Sequence, residues 1–382
     1  MARGKGLRQV GYLDCPGGGQ VSVENGFAYI GHMKSADGTG VVDVRDPKNP
    51  KRVINFPMPE KTHAHKVRVG NGLMVTNREV LPVHSQQPEG FKGGLGIYDL
   101  SKPGNPKLIT NWETEGPNDP SSLVGSGIHR FDFDGRYAYI SPTAEGYLGN
   151  IVMILDLKDP ARPQEVGRWW LPGQWAAGGE TSTWKGAAYR CHHPIRRGNR
   201  LYVSYWHGGF IILDISDMTK PKFVSRMSWH PPFPWPTHTV LPLPYRLQGR
   251  DIMLVADEDA ARTRPFYPAF LWLVDITDEA HPMPFSSFQL DEIDGSEQPD
   301  FTGVHQPSEK VTGTEIPVAW FAYGVRIVDI KNPHAPKEVA HFLPDLPAGS
   351  NRLQSNDVTT DERGLLYVID RIRGLTIMER AG

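Results

Sequence analysis

Short apolar, β-branched runs separated by polar turn clusters recur along this chain with one regular phrasing. Val41-Val-Asp-Val-Arg-Asp-Pro-Lys-Asn-Pro50 returns as Gly96-Ile-Tyr-Asp-Leu-Ser-Lys-Pro-Gly-Asn-Pro106. Further copies lie at residues 153–163, 211–221, 271–282 and 326–336, and a shortened one at Leu375-Thr-Ile-Met-Glu379. Each full copy places a fixed aspartate (Asp43, Asp99, Asp156, Asp214, Asp275, Asp329) after the apolar run and a proline-bearing turn after that. A second extended run follows, such as Lys337-Glu-Val-Ala-His-Phe342. Such runs predict strands, and the Pro, Asn and Asp residues preset the turns between them.

Two more strand signals precede each copy. In the third unit they are Arg130–Phe133 and Tyr137–Ile140 about a turn at Asp134-Gly135; in the seventh, Asp357–Thr360 and Leu366–Ile369. Four antiparallel strands per unit make one propeller blade, and a period of this length in an all-β chain predicts a propeller. The seventh unit lacks its outer strand. Residues 7–13, Leu-Arg-Gln-Val-Gly-Tyr-Leu, match that strand in pattern, so the N-terminus is expected to complete the last blade and remove the open edge. The reading is an all-β, seven-bladed β-propeller, one domain over residues 1–382.

The turn motif with its preceding apolar run resembles the LVIVD repeat, a family of propeller-like proteins, and the resemblance runs through all seven units. What it implies is architecture, since that family carries no agreed activity.

Composition adds limits. The formal charge is −2, with no basic stripe, so nucleic acid is not an expected partner. Forty Gly and 34 Pro serve the turns of seven blades. Two cysteines, Cys15 and Cys191, cannot form a disulfide framework, which points to a reducing cytoplasm. No apolar run reaches membrane-spanning length, and the basic start lacks an apolar segment after it, so neither a membrane anchor nor a signal peptide is expected.

Candidate chemistry comes from histidine. Aligned on their second strands, units two to six open their innermost strand with His65, His129, His192, His238 and His305; units one and seven carry Gly19 and Asn356 there. Equivalent residues of different blades fall on one circle about a propeller axis. A single histidine more often caps a strand than binds a ligand, but five at one register, while their neighbours diverge, point to a metal site. Imidazole suits Fe, Cu, Zn and Ni, whereas Ca and Mg prefer oxygen. His63, two residues before His65, shares its side of the strand and is the auxiliary candidate; His193 should point away. His281 and His334 fall in turns at the opposite face.

Loops on the histidine side supply candidate acids and bases. Glu79 and Glu258 lead, followed by Glu145, Glu180 and His207, as partners of a ligand histidine's second nitrogen or as proton shuttles. Longer loops there carry Trp175, Trp184, Trp229, Phe233, Trp235, Phe266 and Tyr267, with Arg262 and Arg264 nearby. They suggest an aromatic lid over a small organic substrate, with arginine to meet an acidic group.

At fold level, the axial histidine cluster looks like that of carotenoid-cleavage oxygenases and of the methanethiol oxidase/selenium-binding group. The expected function is a metal-dependent oxidoreductase using Fe or Cu. The alternative is a Zn- or Mn-dependent hydrolase, lyase or isomerase, and a further one is a non-catalytic interaction scaffold. No Gly-x-Ser-x-Gly elbow, P-loop or dinucleotide fingerprint is present.

Overall fold

The computed structural model describes residues 3–80, 89–114, 116, 126–184, 189–259, 267–291 and 302–381. Among these the protein is all-β, its one helical segment being the single turn Ala176–Gly178. Contacts group the chain into two compact units: Tyr29–Val41 with Val53–Ser228, and Met1–Ala28 with Val42–Arg52 and Trp229–Gly382. The boundary passes through the strands Phe27–His32, Thr39–Asp43 and Lys51–Phe56.

In the first of these units every sheet is an antiparallel meander. Ile128–Phe133, Tyr137–Pro142, Val152–Asp156 and Gln164–Trp169 pair in chain order, as do Tyr189–Arg197, Arg200–Trp206, Phe210–Asp214 and Lys222–Met227. A third sheet runs Lys107–Glu113, Gly94–Asp99, Leu73–Val80, and its innermost strand is split into Thr62–His63 and Val67–Gly70. Val75, Leu95 and Ile97 of that sheet pack against Phe131, Ile140, Met153 and Leu155 of the next, burying both apolar faces.

The second unit repeats the meander in Thr237–Pro242, Ile252–Asp257, Leu271–Asp275 and Met283–Phe288. Another sheet runs Gln306–Pro307, Glu315–Ala319, Val325–Asp329, Lys337–Leu343. The last, Ser355–Thr360, Leu366–Asp370 and Gly374–Arg380, takes Leu7–Asp14 as its outer strand, with Leu7 opposite Arg380 and Asp14 opposite Gly374. That pairing is the one expected from residues 7–13. Unforeseen was Arg3–Lys5, which adds a fifth strand beside Lys337–Leu343.

The fixed aspartates explain the turns. In each copy Oδ1 accepts the N–H two residues on: Arg45, Ser101, Lys158, Ser216, Thr277 and Lys331, at 2.8–3.1 Å. A side-chain acceptor mimicking a backbone turn ends the third strand at the same place each time. The sheets of residues 128–169 and 189–227 then dock through glycine: a Cβ on Gly167 would stand 2.2 Å from the Met218 carbonyl oxygen. Gly11 meets the Pro47 carbonyl likewise in the second unit, at 1.9 Å.

Where the sequence places histidine as the first residue of each inner strand, the strands differ in detail. Ile128–Phe133, Tyr189–Arg197 and Thr237–Pro242 begin before their histidines, and the register slips around His129, around His192 and at His238. His65 falls in the break between Thr62–His63 and Val67–Gly70, and Asn356 in a slip between Ser355 and Asp357. At His129, His192, His238 and Asn356 the repeated position is therefore a β-bulge, extra chain that leaves the ladder and re-aims the side chain. His305 directly precedes Gln306–Pro307 without one.

Gly11→Ala and Gly167→Ala should each lower folding stability by about 1–3 kcal/mol, as overpacked sites do. Gly313→Ala, with open space around its Cβ position, should change it by less than about 0.5 kcal/mol. Denaturant titration of the three variants measures the difference.

Candidate functional site

At each bulge the lost ladder bonds are replaced by a side chain of the second strand. Asn77 accepts the Lys66 N–H through Oδ1 (2.8 Å) and donates through Nδ2 to the Ile128 carbonyl (2.8 Å) and to His65 Nδ1 (3.2 Å). Ser141 Oγ accepts the Arg130 N–H at 2.9 Å and donates back to the Arg130 carbonyl at 2.7 Å. Ser204 Oγ accepts the His193 N–H at 3.0 Å. With the backbone satisfied, the histidine rings are free to turn inward.

In the unit built on Val53–Ser228 four rings form a contact series. Centroids are 4.1 Å apart for His63–His65, 5.1 Å for His65–His129 and 4.9 Å for His129–His192. Trp206 closes the series on His192 at 5.0 Å, with the Arg190 guanidinium 4.5 Å over its other partner face. Glu79 sits among them without solvent exposure. Its Oε2 lies 2.7 Å from His63 Nε2 and 3.9 Å from His65 Nδ1, and both its oxygens lie 3.1 Å from His129 Nδ1. Potential ligand atoms of His63, His65 and Glu79 lie within 4.8 Å of one another, a spacing that suits a metal ion.

Burial alone would raise the Glu79 carboxyl, but the charge and hydrogen bond of His129, with those of His63, hold it down at about 2. Burial lowers the His129 imidazolium to about 4 against the pull of Glu79. At neutral pH the group is thus a carboxylate facing a neutral His129. An ionised carboxylate only accepts, so His63 donates from Nε2 and His129 from Nδ1. That tautomer leaves a lone pair on His129 Nε2; the remaining ring nitrogen of His63 is Nδ1. The latter is buried and has no hydrogen-bond partner among the described residues. His193 turns elsewhere, with Arg68 Nη2 3.3 Å from its Nε2, as its neighbouring place on the strand leads one to expect.

The second unit holds His238 and His305, 4.1 Å apart, with Phe321 4.3 Å beyond His305. Thr239 Oγ1 donates to Gln306 Oε1 at 2.6 Å and so receives its bond from His238 Nδ1 at 2.9 Å. His305 Nδ1 donates to the Asn356 carbonyl, and the Asn356 amide holds the Gly19 carbonyl. Both rings are thus held through Nδ1. Glu258 Oε1 is 3.8 Å from His305 Nε2 and is 14% exposed. The repeats where histidine is missing are not empty places: the Asn356 main-chain carbonyl accepts from His305 Nδ1, and its side-chain amide donates to the Gly19 carbonyl.

Other candidates fare differently. Glu145 is exposed and makes no hydrogen bond among the described residues. Glu180 ties its own loop, accepting from Trp170 Nε1, Gly173 N and Trp175 N. His207 lies edge-on to Trp206 at 6.3 Å. Trp175 is exposed beside Tyr147 and Trp170, and Trp184 stacks on Tyr189 at 4.8 Å. Trp229, Phe233 and Tyr267 pack with Phe270 and Trp272 into an aromatic cluster, and Trp235 Nε1 donates to the Tyr267 carbonyl. Asp257 anchors the cluster by accepting both the Trp229 and Trp272 indole N–H at 2.9 and 2.8 Å; burial pushes its carboxyl up to about 8. Arg262, Arg264 and Phe266 lie outside the described residues. His281 and His334 are exposed turn residues, as expected.

Solved structures similar to this chain share its all-β, propeller-like fold. They include Sqt1 of Saccharomyces cerevisiae, at 9% identity and TM-score 0.57 over 96% of this chain and 86% of that one. U3-55K aligns at 8% identity and TM-score 0.61 over 98% of both chains. A putative 6-phosphogluconolactonase from Bacteroides uniformis aligns at 11% and 0.56 over 85% of both. At such identities the likeness is one of fold. Within the chain, residues 197–228, which carry the strands Arg200–Trp206, Phe210–Asp214 and Lys222–Met227, match the model of the LVIVD repeat. No curated protein matches the sequence.

Glu79→Gln replaces one of the two acceptors by a donor facing an N–H. It should cost about 1–3 kcal/mol of folding stability in metal-free protein. Glu145→Gln should cost less than about 0.5 kcal/mol, both read by urea unfolding.

Proposed function

We propose that this protein is a metal-dependent enzyme whose ion is held by histidines at the bulged ends of the inner strands. The observation that carries the reading is the Glu79 group. A carboxylate and three imidazoles share one buried place, and His63 Nδ1 has no hydrogen-bond partner there among the described residues. A buried nitrogen without a partner costs free energy that a coordinated cation would return. His63, His65 and His129 are the proposed ligands, and the sequence register extends the set to His192, His238 and His305. Glu79 would act as ligand or as the acceptor that fixes the imidazole tautomers, a role such carboxylates play beside metal-bound histidine.

The leading reaction is oxidation of a small organic substrate, for which a non-haem Fe or Cu ion would supply the redox chemistry when bound. Glu258, partly exposed beside His305, is the proposed proton-handling group, with the tryptophan-rich loops as cover. A second reading, a redox-neutral hydrolase, lyase or isomerase using Zn or Mn, is favoured by the carboxylate oxygen among the nitrogens. The proposed frame is a closed seven-bladed ring over residues 1–382, sealed by Leu7–Asp14. No helix among the described residues is long and apolar enough to cross a membrane, and the near-neutral charge fits a small-molecule partner in the cytoplasm.

Untagged protein should carry close to one equivalent of a transition metal by elemental mass spectrometry. His63→Ala and His129→Ala should abolish stoichiometric retention, and Glu79→Gln should weaken affinity by about 10–100-fold. Fe or Cu supports the first reading, Zn or Mn the second. Failure to retain any of these metals after reconstitution would leave a non-catalytic scaffold.

A further inference from the structure

Arg371 stands in the turn after Leu366–Asp370, and its backbone is clamped on both sides. Its N–H donates to the Gln354 carbonyl at 2.9 Å, and its carbonyl accepts the Gly17 N–H at 2.7 Å. Asp370, directly before it, accepts four bonds, from Gln354 N, Ser355 Oγ, Ile372 N and Arg373 N, at 2.8–3.0 Å. The turn is thus a rigid mount. On the paired strand, next to Ser355, Asn356 carries the carbonyl that accepts from His305 Nδ1.

The side chain on this mount is unlike its neighbours. Arg373 donates to the Asp345 carbonyl and Gln9 and lies 4.2 Å over the Tyr12 ring. Arg363 is bonded to Asp361, Tyr367 and two carbonyls. Arg371 makes no side-chain hydrogen bond or ion pair among the described residues, and its Nε is sealed from solvent. Asp370, the acid next to it, is already saturated. Burial lowers the guanidinium's pKa, and Arg352 adds to that; the strongest opposing charge is Glu258, ahead of Asp370. Arg371 and Glu258 therefore feel one another without forming an ion pair, and Glu258 is the acid 3.8 Å from His305.

A guanidinium whose buried Nε has no partner, on a rigid mount, is poised to donate to what enters beside it. Binding sites hold such donors because the ligand returns the bonds. We propose that Arg371 anchors the carboxylate of a small organic acid, its guanidinium giving two N–H···O bonds to the two oxygens. The planar fork matches a carboxylate. The charge of Glu258 disfavours a dianion such as phosphate, so a singly charged carboxylate is the better fit. The molecule is then held beside Glu258, His305 and His238. The inference rests on the metalloenzyme reading only where it calls that acid the substrate; binding of the anion stands by itself.

The test is calorimetric titration of the full, untagged, EDTA-treated protein with benzoate and with its neutral isostere benzamide. Wild type should bind benzoate saturably and benzamide at least about tenfold more weakly, a difference near 1.4 kcal/mol. Arg371→Met should weaken benzoate by a similar factor at unchanged melting temperature, and Arg371→Lys by less. Equal binding of the two probes, unaltered benzoate binding in Arg371→Met, or no saturable benzoate binding by wild type would each overturn the proposal. If Arg371→Met fails to fold, the probe comparison and Arg371→Lys decide. Benzoate binding in a protein that never retains metal would keep the anion site and remove the metalloenzyme; metal retention without benzoate binding would do the reverse.

Discussion

Everything at the candidate site depends on one backbone constraint: a strand that takes in an extra residue must still satisfy the N–H and C=O groups it uncouples. Here the debt is met by side chains of the adjacent strand. Asn77, Ser141 and Ser204 each bond the peptide groups beside a histidine. The imidazoles are thereby released from any duty to the sheet. In a regular strand His63 and His65, two residues apart, would share a face about 7 Å from one another. With the break between them their rings lie 4.1 Å apart, tilted by 33°.

A second layer of control lies in the proton positions. Glu79, the Thr239–Gln306 pair and the Asn356 carbonyl each engage one nitrogen of a ring. These partners are of three chemical kinds, an acid, a hydroxyl and a peptide, yet each engages Nδ1 of its ring, in His129, His238 and His305.

The sheets and turns were legible because their causes are local. The aspartate two residues before each turn N–H, the apolar alternation and the match of residues 7–13 to an outer strand are all visible in one-dimensional pattern. The register of the histidines was legible for the same reason. Glu79 and Glu145 looked alike in the sequence and proved opposite: Glu79 lies on a strand prolonged by pairing with Thr62–His63, while Glu145 sits in an open turn. Of the partners of the imidazoles, Glu79 was legible as an acid on the histidine side, whereas Thr239, Gln306 and the Asn356 carbonyl were not. A bulge is a count of two residues against one across a pair of strands, and neither strand records it alone. Arg371 was hidden by a related cause, since three arginines near that turn differ only in what the tertiary fold brings to them.

The pairing of Leu7–Asp14 with Gly374–Arg380 has a consequence in time. Synthesis delivers the two partners at opposite ends of the chain's production, so the earlier strand waits, unpaired, while every intervening sheet forms. Long-range pairing of this kind closes late and folds slowly. The sheet that carries Arg371 is consequently the last to acquire its outer edge. A growing chain would hold the histidine bulges at His129 and His192 long before the turn that mounts Arg371 gained its flanking strand.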